Sequence, residues 1–506
     1  MINILLGLAE NKELSSQVVH DIKDKITADS LSMIVARPED LPEYERYGEC
    51  ILRVNAARGI YTDAQLDIEN CIPLDDNVLQ YMNQHGVMIM HQQRRFEQYP
   101  GIHIDSDWNS HYTVYMHNLF FWYNFLKRKQ ITHVFLTGIP HEGYDCIIYY
   151  LCKYLNIPIL MVNPCFLPFR CYPLSDFMVD EPILTAEYSR LSAQYAQSKM
   201  EDIPLEGDTE QLFEGWISLQ PDQMKPWYMR VDPFSRRLRQ RFNESNVIRI
   251  WRGILGEDYV KYGVSLAFLR AAVCKIPKLL EAVPIAWKRW IYVRPVRRES
   301  IEQRKYYQSL AGEPIKDERY IYFPLHYQPE ASSNPMGGDM YADQIVPLNI
   351  LSRSLPDDMK IYVKIHPEQL SPMRTQEYYA EMVKIPKVRF MKVETSTYEL
   401  IRNAVAVATL TGTALWECQF FGVPAIAFGY SVKNLAPLTY HVRTVEDCRR
   451  ALAQIESEPR RDVTRELKIY TKAMHNISFA LKDFKEKVPE LIEKFVKETM
   501  GNKELE

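Results

Sequence analysis

Nine cysteines occur in the chain, yet none forms a Cys-x-x-Cys pair and none has zinc spacing. Cys146 and Cys152 sit in an apolar helical run, and the other seven are isolated. An odd number without a framework excludes a disulfide scaffold and implies reduced thiols in a cytosol. No apolar run reaches the roughly 18–20 residues that a bilayer span needs. The opening Met1-Ile-Asn-Ile-Leu-Leu-Gly-Leu-Ala9 is apolar but lacks a basic leading region and soon turns charged. It reads as a buried strand, not a secretory signal. A net charge of −4 carries no nucleic-acid signal. No internal repeat is visible.

What is present is an ordinary globular composition, 46% apolar and 25% charged, over 506 residues. That is too long for one core, so two domains with an intervening helical segment are expected. The 32 Tyr and 20 Phe suit sugar stacking or an aromatic core equally.

Strand and helix patterns alternate in the first part. Strands are expected over Ile2–Leu8, Leu31–Ala36, Cys50–Val54, Val87–Met90, Thr132–Thr137 and Ile157–Val162. Helices are expected over Ser15–Lys25, Asp75–Gln84, Tyr112–Arg128 and Tyr144–Leu155. Alternation resumes with strands over Tyr320–Leu325, Lys360–Ile365, Val388–Lys392, Ala404–Thr409 and Ala425–Phe428. Helices fit between these and over Val445–Ile455 and Val463–Glu498. Such alternation predicts parallel, doubly wound sheets. The division reads as an N-terminal Rossmann-like domain (1–187), a mostly helical connection (188–316) and a C-terminal Rossmann-like domain (317–506).

Five segments could carry chemistry. The strand ending Lys364-Ile-His366-Pro367 stops at a proline that cannot continue the ladder. His366 could donate to a phosphate oxygen or simply cap the strand end. Thr411-Gly412-Thr413 opens a helix, where backbone N–H groups and two hydroxyls attract anions. Glu417 lies one turn on and could accept from ribose hydroxyls. The bland alternative makes either threonine an N-cap. After Tyr320–Leu325 comes a long polar loop holding His326, Gln328 and Glu330, which could meet a sugar. In the first domain, Thr137-Gly-Ile-Pro-His-Glu-Gly-Tyr-Asp145 places His141, Glu142 and Asp145 together as an acid/base cluster or a capped, charged loop. Finally, Leu266–Arg298 interleaves basic residues with Trp and aliphatic residues. It fits an anionic membrane surface or, equally, a solvated basic helix.

Tyr322-Phe-Pro-Leu-His-Tyr-Gln-Pro-Glu330, Lys364-x-His366-Pro367 and Thr411-Gly-Thr-Ala-x-x-Glu417 together resemble bacterial capsule and surface-polysaccharide biosynthesis proteins. These are similar to the transferases that use CMP-Kdo (Kdo is 3-deoxy-D-manno-oct-2-ulosonic acid). The His-Pro element is also similar to that of bacterial sialyltransferases. The resemblance implies a GT-B fold, two Rossmann-like domains facing across a cleft. The C-terminal domain would hold the nucleotide sugar and the N-terminal domain a lipid-linked or oligosaccharide acceptor. It implies that His366 and the Thr411-Gly412-Thr413 turn bind the CMP phosphate and nucleotide and that Glu417 meets the ribose; Lys364, His326 and Gln328 join the donor site by the reading of the residues themselves. Glu330 would be the nucleophilic carboxylate and Glu142, with His141 and Asp145, the acid/base group.

The chemistry is coherent on its own terms. CMP leaves as a phosphate monoester, whose growing charge His366 and backbone N–H groups would stabilise. A ketosidic donor passes through an oxocarbenium-like centre that a carboxylate can stabilise or trap. The CMP-sugar is substrate, no cofactor is implied, and no Asp-x-Asp pair is placed to hold a metal. The expectation is a cytoplasmic transferase, with a peripheral contact at the inner membrane face if 266–298 provides one. Two other readings fit the same loops: a transferase using CDP-glycerol or a UDP-sugar, and a non-catalytic glycan-assembly protein.

Overall fold

The computed structural model describes residues 1–8, 16–98, 104–179, 181–218, 295–367, 369, 373–458 and 460–503, with single positions at 265, 273 and 275. The basic stretch 266–298 therefore lies almost wholly outside the described residues.

Two parallel-dominated sheets organise the chain. In the first are β1 (Asn3–Leu8), β2 (Ser30–Val35), β3 (Gly48–Leu52), β4 (His133–Leu136), β5 (Ile159–Pro164) and β6 (Arg170–Leu174). In the second are β7 (Arg319–Pro324), β8 (Met359–Lys364), β9 (Val388–Phe390), β10 (Ala406–Thr409), β11 (Ala425–Ala427) and β12 (Thr439–His441). A last short strand, β13 (Phe479–Ala480), returns to the first sheet. All six residues of β1 are buried, as a parallel strand covered by helices on both faces requires.

The second sheet runs β12-β11-β10-β7-β8-β9, every pair parallel. With β7 counted as its first strand, this is the order of dinucleotide-binding sheets. Its direction reverses between β7 and β10, which opens a crevice at their carboxyl ends. The first sheet, β13-β6-β5-β4-β1-β2-β3, reverses likewise between β1 and β4. Two Rossmann-like domains facing across a cleft make this a GT-B, glycosyltransferase-like architecture.

Three sequence expectations are corrected. Val87–Met90 is no strand but the continuation of one helix, Asp76–Gln93. Asp75 caps it by accepting from the Val78 N–H at 2.9 Å. The helical period explains why Val87 is exposed while Met88, Ile89 and Met90 are buried. The second correction is β6, which runs antiparallel to β5 and was not expected. Its Pro173 demotes it as a strand by pattern, and it is tolerated because β13 pairs only with Cys171 and Arg170.

The third concerns the C-terminal boundary. Sequence patterning kept 317–506 as one unit, but from Phe479 the chain packs on the first sheet. Phe484, Val488, Ile492 and Val496 of helix Phe484–Lys503 are buried with Ile4, Leu6, Met33 and Phe135. The fourfold spacing that makes this stripe was legible; its destination was not.

Across the cleft, the loop after β7 seats on helix Asp76–Gln93. The Asn334 amide donates to the Met88 carbonyl at 3.2 Å and meets His91 Nδ1 at 3.0 Å. Its oxygen accepts from Gln92 Nε2 at 3.1 Å. Burial pushes the His91 pKa down to about 4, which keeps that ring neutral as an acceptor.

Candidate functional site

Helix and strand ends converge on a cavity of about 550 Å³ at the reversal point of the second sheet. Its walls come from the loop after β7, the ends of β8 and β9, and the turn after β10. The structure brings His326, Glu330, Lys364, His366, Thr411, Gly412, Thr413 and Glu417 to this one space. Gln328 is not among its walls. It is buried, donating its backbone N–H to Gln369 Oε1 at 2.9 Å while its carbonyl accepts from Gln369 Nε2 at 2.8 Å. Gln328 thus closes the loop and does not face the cavity.

The turn after β10 is not a helix cap. Thr411 Oγ1 donates to the Ser332 carbonyl, joining the two lips of the crevice. Thr413 makes no capping bond. The helix it precedes is a single turn, Ala414–Glu417, continued as a 3-10 turn. Gly412 does not adopt the left-handed conformation; a Cβ there would stand 3.3 Å from the Thr409 methyl and 3.6 Å from His326 Nε2. Close approach is therefore its use here.

His326 is a support and not an open donor. Its Nε2 accepts from the Thr411 backbone N–H at 3.2 Å, and Nδ1 lies 3.2 Å from Ser332 Oγ. Burial, with Arg374, His366 and Lys433 nearby, pushes its pKa down to about 3. The ring is neutral at working pH, with its proton on Nδ1. Lys364 is also committed. Its ammonium donates to the Thr395 carbonyl and to Thr397 Oγ1, the latter at 3.0 Å, fastening the loop after β9. His366 stands at the cavity wall, edge-on to the Tyr327 ring at 5.9 Å.

The cavity also holds a buried acid and a buried base. Burial pushes Glu417 up to about 7, against the pull of Thr413 and Lys433. Lys433 is pushed down to about 8 by its own burial, with Glu330 and Glu417 among the groups that oppose the shift. Lys433 Nζ donates to the Thr411 carbonyl at 3.0 Å and to Ser431 Oγ at 3.4 Å. Sequence reading missed Lys433, because it follows β11 in a segment without a motif. It missed Ser332 as well, the first of two adjacent serines in a loop read for His326, Gln328 and Glu330.

The first-domain cluster occupies a separate pocket of about 130 Å³ at the β1/β4 reversal. Glu142 is locked to Arg53, with Arg53 Nε donating at 2.6 Å and a second guanidinium nitrogen on the other oxygen. Burial alone would raise this carboxyl, but Arg53, with His141 and Arg95, holds it below the usual range. In this state it can only accept. Asp145 binds the loop's own backbone. Its oxygens accept from the N–H groups of His141, Glu142 and Cys146, each at 2.8 Å. Complete burial nevertheless raises its pKa. His141 donates Nδ1–H to the Ile139 carbonyl at 2.8 Å, so neutral His141 offers Nε2 as an acceptor. His141 and Glu330, on opposite domains, line the same narrow seam with Asn334 and Gln92.

Among the described residues, no group of three or more His, Cys, Asp or Glu side chains is placed to hold a metal ion. Among them too, no helix is long and apolar enough to cross a membrane.

No family model and no curated protein matches the chain. Solved structures do. A UDP-GlcNAc 2-epimerase from Methanocaldococcus jannaschii is 11% identical with a TM-score of 0.25, over 94% of this chain and 98% of that one. A glycosyltransferase from Rickettsia africae is 10% identical with a TM-score of 0.25, over 98% and 99%. The beta Kdo 2,4 transferase KpsC from Thermosulfurimonas dismutans is 12% identical with a TM-score of 0.29, over 67% and 79%. At such scores the fold class rests on the two sheet orders, and the site on its own geometry.

Proposed function

We propose that this protein is a glycosyltransferase that moves a sugar, Kdo or a related 2-keto sugar acid, from a CMP-activated donor to a bacterial surface-glycan acceptor. The carrying observation is the 550 Å³ cavity at the second sheet's reversal point, which gathers His366, Lys433, Thr411–Thr413 and Glu330. Open α/β sheets bind nucleotides at such points. The CMP phosphate sits against His366, Lys433 and the Thr411–Thr413 turn, and Glu417 meets the ribose.

In the reaction the bond from the anomeric carbon to the phosphate oxygen breaks, and the electron pair leaves with CMP. The cations at the cavity wall stabilise that charge. Glu330 stabilises or traps the electron-poor carbon. An acceptor hydroxyl then forms the new bond, and His141 Nε2 takes its proton. Glu142 and Asp145 keep the His141 loop in place. No step calls for a metal ion.

Calorimetry with CMP and UDP tests the reading. CMP is expected to bind, and His366→Ala to weaken it about tenfold, the usual worth of a hydrogen bond to a charged group. A chain that ignores CMP, or a His366→Ala variant that binds it as well as the parent, overturns the assignment. A donor screen with mass analysis of products identifies the leaving group. Release of CDP or UDP would transfer the same site to a CDP-glycerol or UDP-sugar reaction. A chain that binds glycan but turns over no donor would be the assembly protein.

A further inference from the structure

The loop after β7 carries a directed line of hydrogen bonds. Thr411 N–H donates to His326 Nε2 at 3.2 Å. That contact fixes the proton of the neutral ring on Nδ1, which points it at Ser332 Oγ, 3.2 Å away. Ser332 then spends its own proton on Glu330 Oε2, at 2.7 Å. Each group has one role only, because each link fixes the direction of the next. The line starts at the anion-binding turn and ends on the carboxylate.

We propose that Ser332 is a positioning residue which, held by His326, aims the Glu330 carboxylate into the donor cavity. The inference rests on the role proposed for Glu330 above. Glu330 is otherwise poorly restrained, being an exposed side chain on a loop. A carboxylate that must meet an anomeric carbon within a fraction of an ångström needs its rotamer fixed by a second group. The hydroxyl of Ser332 does this without neutralising the charge. Burial, Arg374, His366 and Lys433 hold the His326 pKa far below neutrality, so the line keeps its direction across the physiological range.

The backbone of the loop has separate fastenings. The Ser333 hydroxyl and the backbone N–H groups of Ser333 and Asn334 all donate to the Glu330 carbonyl. The Ser332 carbonyl accepts from Thr411 Oγ1. Ser332→Ala therefore removes the aiming bond and leaves the loop seated.

The test combines kinetics with a readout that needs no turnover. Ser332→Ala is expected to lower kcat about tenfold with donor KM and CMP affinity unchanged, and Ser332→Thr to restore it. In a Glu330→Gln background Ser332→Ala should change nothing further, since residues that act through one another are not additive. An equal, independent loss in both backgrounds, or a loss confined to KM, overturns the positioning role while leaving Glu330 in place. Wild-type turnover in Glu330→Gln overturns the role of Glu330 itself, and the inference with it. Crystal structures of the parent and Ser332→Ala chains decide the case even without turnover. The Glu330 carboxylate should leave its place in the variant; finding it unmoved rejects the proposal.

Discussion

Glu417 gives the fold a pH dependence of its own. Its folded pKa lies near 7 against an ordinary value of 4.5. Below about 4.5 the folded and unfolded chains both carry the proton. Between there and 7 only the folded chain keeps it, so stability falls as pH rises through that window and then levels. Glu417→Gln removes this loss. Urea titrations should show the variant gaining on its parent by on the order of 3 kcal/mol between pH 5 and pH 8. Lys433 has the opposite sign. Its folded value near 8 lies below the ordinary 10.5, so its burial penalty is full below 8 and fades as pH rises towards 10.5. Anion binding favours the charged lysine, so binding of CMP at pH 8.5 should be accompanied by proton uptake onto Lys433. Calorimetry in buffers of different ionisation enthalpy reads that uptake, and Lys433→Met should abolish it.

At the scale of elements, the loops that frame the cleft are held by buried polar pairs. Arg53, on the helix after β3, neutralises Glu142 on the loop after β4. Breaking such a pair strands one charge, so Arg53→Met is expected to cost about 3–5 kcal/mol in chemical denaturation. Arg53→Met with Glu142→Leu together should recover most of it. The pair also marks where sequence reading stopped. The Lys-x-His-Pro and Thr-Gly-Thr segments were legible because strand, turn and polar residue follow one another in the chain. The same locality led to β1, β2, β4 and β7 to β11 within a residue or two, while β12 was given no bounds. Arg53 and Glu142 are 89 positions apart, and Gln92 and Asn334 are 242 apart, so no local pattern joins them. Val87–Met90 misled because four apolar residues suit a strand as well as one face of a helix. His326 was legible as a cavity residue, but its partners on two loops decide that it supports and does not bind.

For the whole molecule, the return of the chain to its first sheet means that the first domain is not complete in one segment, whereas the second core runs unbroken from Tyr307 to Ile455. Helix Phe484–Lys503 covers the face of β1, β2 and β4 that helix Ser16–Ile26 shares. Val488 is fully buried there. Val488→Asp should lower the melting temperature by more than 10 °C, since an unpaired buried charge costs several kcal/mol. A chain ending at Ser478 should expose that face and aggregate, as size-exclusion chromatography would show.

The same return brings the first and last described elements side by side. The Asn3 N–H donates to Thr132 Oγ1 at 3.0 Å, and the neighbouring His133 meets Thr499 Oγ1 at 2.9 Å. Both reference points ride on one rigid body. Fluorophores placed near them would keep a constant separation however far the cleft opens. Moving one of the pair to helix Val445–Ser457 turns that fixed ruler into a gauge of domain closure, with the first pair as its internal standard.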